Sequence, residues 1–587
     1  MFDQADGVEV ALDVSPSPRL QADLMKHQLQ ALGLMIERES SRLESLKSPS
    51  LWIPVSNETT GPGLYRHAIT GAVSRQPQVT SGGIIADEMG LGKTLSMLAL
   101  ICSHLDSLGI SNTEGQQSRT TLIVTPKSTL YGWQRQIKRH ICDGQITSLV
   151  YHGSRKQKLS SEFDNVDIVL TTYETLRSEH ILEGPLLSQH WLRLVLDEAH
   201  HIRNRESQVF AACCKVRAQY RWCLTGTPVQ NSLDDYGALL SFLGVYPFQD
   251  KKVFDRWIAG PFKKSTPHAI ENLRRLVAAT CLRRTKAKCN LSTPLPQRYE
   301  EIEKINLLPK DQEIYDFFKQ KIQKVVNPNF QDHNSPRTKQ SKRPNILSLI
   351  TLLRVICDHA ELLPQTAISA WKTGNANISE KDTKLLLTEV NGEYGEDVES
   401  MRSESPVLGL GNNEPGRGAA QSVNPKFISQ RLQVYSVVFS SWTRMLDKVE
   451  EALRAEGFNC QRIDGQSSLK SRGDAMRIFS EDKNCTVMLA SIGSAGEGVD
   501  FTAAQYVHIL EPHWNPMAEA QAIDRVHRIG QKLPVTITRY IVPRSVESYV
   551  QWVQSDKLRI INLSLDTIEN AADVEKKRWE KLKTFLR

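Results

Sequence analysis

Two patterns alternate along the chain. Short apolar runs that end in polar residues recur at "TLIVT" (121–125), "VDIVLTTY" (166–173), "LRLVLDEAH" (192–200) and "RWCLTGTP" (221–228). Their length and aliphatic content predict strands buried on both faces, with functional groups at their carboxyl ends. Between them lie stretches with helical spacing of apolar positions, such as 128–140 and 232–243. A second set repeats the pattern at "YSVVFSSW" (435–442), "CTVMLAS" (485–491) and "YVHILEP" (506–512). The predicted fold class is α/β, with two lobes, each a parallel sheet flanked by helices.

The pattern breaks between the two sets. Residues 326–345 and 372–426 read as flexible insertions, and "ILSLITLLRVICDHAELL" (346–363) between them reads as a packed helix. The expected organisation is a polar tail over 1–20, a first lobe over 21–290 and a linker over 291–430. A second lobe follows over 431–565, then an amphipathic helix over 566–587 through Val574, Trp579, Leu582 and Phe585.

Composition narrows this only a little. With 587 residues, 40% hydrophobic and 24% charged, the chain reads as globular and multi-domain. A net charge of +7 permits a nucleic-acid partner without demonstrating one. None of the ten cysteines forms a C-x-x-C pair, so no zinc module is expected. The run Met97 to Cys102 is too short to span a bilayer, and the acidic N-terminus does not read as a signal peptide, so no membrane partner is expected.

The candidate chemistry lies at the ends of the predicted strands. "ADEMGLGKTL" (86–95) follows the short strand Ile84-Ile85 and opens a helix. Backbone N–H groups of such a loop face an anion, Lys93 suits the β/γ-phosphates and Thr94 suits Mg²⁺. Asp87 stands where the general phosphate-loop pattern has its first glycine. "LRLVLDEAHH" ends a strand in two adjacent carboxylates. Neighbouring strand side chains point to opposite sides, so the two would do different jobs. Asp197 fits a Mg²⁺-holding acid and Glu198 a base that polarises the attacking water. In "EPHWNPMAEAQAIDRVHRIGQ" (511–531), Arg525 and Arg528 lie three apart and would share one face of a helix, an arrangement suited to polyphosphate.

Together these strings resemble the Swi/Snf-type DNA-translocating ATPases of helicase superfamily two, which characteristically carry "DEMGLGKT". On that resemblance the lobes are RecA-like, the cofactors are ATP and Mg²⁺, and the cradle comprises Asp87, Glu88, Met89, Gly90, Leu91, Gly92, Lys93 and Thr94. "LMKHQLQAL" (24–32) resembles the adenine-side motif, with Gln28 as the contact. "LTGTPVQNSLDDYGALLSFL" (224–243) and "LRRTK" (282–286) resemble later segments of the first lobe. Arg525 and Arg528 become arginine fingers, with Gln521 near the γ-phosphate. The DNA contacts implied by the resemblance are Lys127, Ser128, Thr171, Thr172, Ser440 and Ser441. The partner is double-stranded DNA or nucleosomes, the location the nucleus, and targeting is expected from another subunit.

In "LASIGSAGEGVDFTAA" (489–504) the chain departs from this pattern at Gly493, Ala495 and Glu497. A carboxylate near phosphates is repulsive, which weakens the expected DNA coupling. Within the resemblance the chain looks most like the branch of helicase-like transcription factor and yeast DNA-repair translocases. It has only Cys357 between 290 and 459, too few for that branch's RING module. The basic run Arg337, Lys339, Lys342 and Arg343 reads equally as an import signal, a DNA-touching loop or a solvated loop. Two other functions stay open: a DEAH-type RNA helicase, and a non-hydrolysing scaffold for DNA or protein.

Overall fold

The computed structural model describes residues 14–40, 43, 47–55, 63–108, 119–153, 160–229, 232–264, 266, 268–286, 289, 295–326, 346–363, 365–373, 434–495, 499–528, 530–563, 580–582 and 584–585. The chain divides into two compact units. The first comprises Met1–Pro294 with Arg559–Ala571, the second Leu295–Leu558 with Ala572–Arg587.

The first unit begins with helix α1 (Lys26–Ser40), then a small antiparallel sheet of β1 (Trp52–Pro54), β2 (Tyr65–His67) and β3 (Val73–Ser74), which no sequence pattern announced. Its main sheet contains β4 (Gly82–Ile85), β5 (Thr121–Thr125), β6 (Ser148–Val150), β7 (Ile168–Thr172), β8 (His190–Asp197), β9 (Arg217–Leu224) and β10 (Cys281–Leu282). The order is β10-β4-β9-β8-β5-β7-β6, and every pair is parallel. The apolar runs are the central strands: every residue of β4, β5 and β7 is buried. Strands covered on both faces need no polar alternation, which is why they read as unbroken aliphatic runs.

Register carries the functional loops to one edge of this sheet. Ile85 pairs with Leu224, Leu224 with Asp197, and Thr125 with Thr172. The carboxyl ends of β4, β9, β8, β5 and β7 therefore lie side by side. Helix α2 (Lys93–Leu108) follows β4, and helix α3 (Leu130–His140) follows β5. On α3, Leu130, Trp133 and Ile137 are buried at helical spacing, while Lys138, Arg139 and His140 fill its last turn.

The second unit holds β11 (Arg298–Lys304), β12 (Ser436–Ser440), β13 (Asn459–Ile463), β14 (Cys485–Ser491), β15 (Tyr506–Ile509) and β16 (Val535–Ile541). This sheet is also fully parallel, in the order β11-β16-β15-β12-β14-β13. Strand β11 comes from the stretch expected to be linker. Its run "RYEEIEK" is too polar to register as a buried strand, because it is an exposed edge. The expected packed helix forms over Ile346–Asp358 and continues in a short turn at Ala360–Leu362, and its apolar residues join the core of this unit. The insertion residues 327–345 and 374–426, the basic run within them, and Val574 and Trp579 lie outside the described residues. Leu582 packs into the second unit's core.

A buried ion pair fixes α1 on the main sheet. Arg193 of β8 is fully buried and donates to Glu39 through Nε (2.6 Å) and Nη2 (2.5 Å). The Trp222 indole donates to the same carboxylate at 2.9 Å, and Arg193 also donates to the Thr121 hydroxyl at 3.1 Å. Removing one partner strands the other charge in low dielectric. Glu39→Ala is expected to destabilise the first unit by about 3–5 kcal/mol, and Glu39→Gln by less, read from denaturant midpoints; equal midpoints for wild type and Glu39→Ala would contradict this.

Candidate nucleotide site

The segment 86–94 leaves the end of β4 and turns into α2. Gly90 and Gly92 hold φ of 88° and 87°, a region L side chains rarely adopt. At Gly92 a Cβ would also lie 2.4 Å from Gln28 Nε2, so a side chain there would push the Gln28 amide aside. The loop is braced by α1: Leu91 O accepts from Gln28 Nε2 at 3.2 Å and from His27 Nε2 at 2.9 Å. Burial lowers the His27 pKa, consistent with a neutral ring carrying its proton on Nε2. The expected Gln28 therefore touches the loop itself, and His27 beside it is a second brace that the sequence did not single out.

The Asp87 side chain has a partner the sequence did not indicate. Expected in the nucleotide cradle, its carboxylate is buried and turned to Arg284, which donates through Nε (3.0 Å), backbone N (3.1 Å) and Nη2. A carboxylate beside phosphates would be repelled, whereas here it meets a forked cation in bidentate geometry. Glu88 is engaged by the same segment: its Oε2 accepts from Lys286 N at 2.7 Å, with Lys286 Nζ 3.7 Å from Oε1. The backbone is stitched to the same segment, Ala86 N to Leu282 O at 2.7 Å and Glu88 N to Arg284 O at 2.9 Å. Met89 is packed: a Cβ on Gly226 would meet its side chain at 2.9 Å. Lys93 Nζ donates to Asp87 O at 2.7 Å, and Thr94 stands half-buried in the first turn of α2.

The second acid group closes the site from β8. Asp197 Oδ2 accepts from Trp133 Nε1 (2.8 Å) and Thr125 Oγ1 (3.2 Å), and Oδ1 from Glu198 N (3.1 Å). Burial raises its pKa, opposed by the Trp133 donor, the Lys93 charge and the Thr125 hydroxyl. Glu198 is not a further strand residue. It sits left-handed at φ 48° and ψ 51°, so the two carboxylates separate by a backbone turn rather than by strand alternation. His200 Nδ1 lies 3.5 Å from Glu198 Oε2. Beneath this turn, Tyr173 OH donates to Asp197 O at 2.7 Å and its ring stacks on His201 at 4.9 Å. Neither tyrosine nor tryptophan was legible as part of the site.

The phosphate-loop backbone, Lys93, Thr94 and Asp197 thus gather at one sheet edge within the first unit. This donor set suits a nucleotide with a divalent cation: N–H groups and an ammonium for phosphate, a hydroxyl and a carboxylate for a hard metal.

Within the second unit, the helix Pro516–Ile523 is capped by Asn515, whose Oδ1 accepts from Met517 N at 3.0 Å, with Pro516 at its first position. Gln521 is on this helix, half-buried. Arg525 and Arg528 are not: the helix ends at Ile523, and tighter bonds from Arg525 N to Ala522 O (3.1 Å) and Val526 N to Ile523 O (2.9 Å) begin a turn. The shared helical face expected for the two arginines is replaced by that turn, around buried Val526. Gly493 lies in the short helix Ile492–Ala495, and Glu497 falls outside the described residues.

The expected DNA contacts separate into two groups. Lys127 is exposed and Ser128 half-buried at the entry to α3. Thr171 and Thr172 are fully buried and their hydroxyls are engaged, Thr171 with Tyr151 O (2.9 Å) and Thr172 with Thr175 N (3.2 Å) as the cap of helix Tyr173–Leu182. Ser440 is also fully buried and donates to Glu511 Oε1 at 3.0 Å, the same oxygen that takes the Ser441 amide. The side chains of Thr171, Thr172 and Ser440 are therefore capping and packing groups. Strand-end hydroxyls look alike in sequence whether they face solvent or their own backbone.

Glu511 belongs to a buried carboxyl cluster with Asp358 and Glu547 around Arg354. Arg354 lies over the Trp442 and Trp514 rings at 5.7 and 5.5 Å and donates to Pro512 O at 2.9 Å. Burial pushes Glu511 up to about 7 and Glu547 up to about 8, with the charge of Glu511 adding to the latter.

The SNF2-related domain family matches residues 27–362, more than half of the chain, and the helicase conserved C-terminal domain matches 425–530. The chain belongs to the SNF2-related family. It is a helicase-like ATPase of that family, with the two-lobed α/β fold the strand pattern predicted. Human helicase-like transcription factor is 30% identical over 539 residues, covering 80% of this chain and 53% of the relative. DNA repair protein rad8 of Schizosaccharomyces pombe is 27% identical over 693 residues, covering 95% and 60%. Transcription termination factor 2 of Drosophila melanogaster is 28% identical, covering 88% and 58%. The chain thus spans little more than half the length of these SNF2-related relatives. The Sulfolobus solfataricus SWI2/SNF2 ATPase core in complex with dsDNA covers 93% of both chains at 21% identity, with a TM-score of 0.40, too low to bear on function.

Two outcomes follow from this geometry. Asp87→Asn is expected to destabilise the first unit by about 3 kcal/mol or more, and in a double-mutant cycle with Arg284→Met the losses should be far from additive. A direct phosphate contact would instead show as lost nucleotide affinity at unchanged melting temperature. In the second unit, folded-state pKa values of Glu511 and Glu547 above the usual 4.5 mean that the unfolded chain releases these protons first. Their stabilising contribution is complete below pH 4.5 and is lost as pH rises through about 7 to 8. Hydrogen exchange of the second unit should therefore quicken from pH 6 to 9 beyond the intrinsic rate, and Glu511→Gln should flatten that rise.

Proposed function

We propose that this SNF2-related chain is an ATP-dependent, DNA-stimulated translocase. On this reading it moves along duplex DNA and displaces or slides bound proteins, or remodels repair intermediates, in the nucleus. The observation that carries the reading is the arrangement of the phosphate loop, Lys93 and Asp197 at one sheet edge, with Glu198 turned out of the strand by its left-handed backbone. Lys93 and the loop amides hold the polyphosphate of ATP. Thr94 and Asp197 would hold Mg²⁺, which would supply charge neutralisation at the phosphates. Glu198 polarises the attacking water. The second unit is assigned the arginine fingers Arg525 and Arg528, with Gln521 near the γ-phosphate; such a finger contributes about 10³- to 10⁵-fold in rate.

Double-stranded DNA, free or in nucleosomes, is the proposed partner, together with a targeting subunit. Lys127 and Ser128 remain the assigned contacts, of a kind that grips phosphate without reading sequence, whereas the Ser441 amide and hydroxyl are turned to Glu511. The names of the relatives, a DNA repair protein and a transcription termination factor among them, support a DNA-directed role and leave its pathway open.

ATPase rates measured with and without duplex DNA, across salt, test this directly. Duplex should stimulate hydrolysis, and stimulation should fade as salt rises. Glu198→Gln should lower the rate by about 10²-fold or more while ATP still binds, and Lys93→Ala should weaken binding itself. Equal rates without DNA, or stronger stimulation by RNA, would sink the assignment.

A further inference from the structure

We propose that Trp133, assisted by Thr125, is a positioning residue that sets which oxygen of Asp197 faces the bound metal. The proposal rests on the reading of Asp197 as the Mg²⁺-holding acid. A carboxylate oxygen accepts about two hydrogen bonds. Oδ2 already has two donors, the Trp133 indole at 2.8 Å and the Thr125 hydroxyl at 3.2 Å. Oδ1 has one, the Glu198 amide at 3.1 Å. The acceptor position left over is therefore on Oδ1, and Oδ2 is occupied by the protein.

The indole is more than core filling. Trp133 is 2% exposed, and its ring packs in the apolar cluster that contains Leu130, Ile137 and Val195. Its polar atom is directed out of that cluster onto the carboxylate. A phenyl ring would fill much of the same space and leave Oδ2 with Thr125 alone. The main chain of Asp197 is held separately by Tyr173 OH on its carbonyl at 2.7 Å. With the carbonyl and one carboxylate oxygen both fixed, rotation of the carboxylate is the freedom that Trp133 removes. Groups that orient a metal ligand in this way are worth about 10- to 100-fold in metal affinity.

The test uses the full chain and a fluorescent, non-hydrolysable ATP analogue titrated with Mg²⁺. For Trp133→Phe, measured well below its melting temperature, which falls because a buried ring shrinks and a buried hydrogen bond is lost, binding without metal should stay near wild type, while the Mg²⁺ concentration for half-maximal tightening rises about tenfold. Thr125→Val should move the midpoint in the same direction by a smaller factor. A wild-type midpoint in both variants overturns the proposal; if Trp133→Phe does not fold, a wild-type midpoint in Thr125→Val overturns it. Failure of the underlying reading looks different: wild type would show no Mg²⁺-dependent tightening, or Asp197→Asn would keep all of it.

Discussion

The ion pair between Asp87 and Arg284 is the constraint on which the nucleotide site depends. A phosphate loop works through backbone amides, so its shape must be held before a ligand arrives. Here the shape is held from outside. Arg284 clamps the acid at the start of the loop, backbone bonds stitch residues 86 and 88 to 282 and 284, and α1 supplies His27 and Gln28 under Leu91. A glycine in place of Asp87 would allow the turn but would leave Nε and Nη2 of Arg284 without their carboxylate, with only Nη1 still on His27 O and Gln30. The departure from the general loop pattern thus ties this loop to the segment that ends β10 and follows it.

The acidic turn after β8 is built on the same plan. Glu198 adopts a backbone conformation unfavourable for its type, and the residues around it keep it there: Tyr173 on the Asp197 carbonyl, Trp133 and Thr125 on the carboxylate, His201 N on Glu198 O at 3.1 Å. Local strain of this kind persists only where surroundings over-determine it. The helices that follow β5 and β7 supply those surroundings, so the elements nearest the proposed DNA contacts also hold the acid pair.

What the sequence disclosed and what it hid divide by distance along the chain. The strands, the loop of 86–94 and the acid pair were legible because each is a short local pattern. The partners of those residues were not: Asp87 and Arg284 are 197 positions apart, and Trp133 and Asp197 are 64 apart. Single-sequence reading has no means to pair such residues. Arg525 and Arg528 were misplaced on a helix because the turn after Ile523 depends on burying Val526, a tertiary fact. The hydroxyls of Thr171, Thr172 and Ser440 were assigned outward for the same reason, since nothing local says which way a strand-end hydroxyl turns.

Strand β11 sets the true extent of the second unit. It precedes the rest of that sheet by more than a hundred residues of chain, yet it pairs along its whole length with β16, the last strand, from Arg298–Val535 to Lys304–Ile541. The segment matched by the helicase C-terminal domain, 425–530, contains neither strand. A fragment cut to that match would present β15 as a raw edge and lose the pairing of both missing strands, an invitation to aggregation. The smallest piece of this lobe that keeps all six strands of the sheet begins before Arg298 and ends after Ile541.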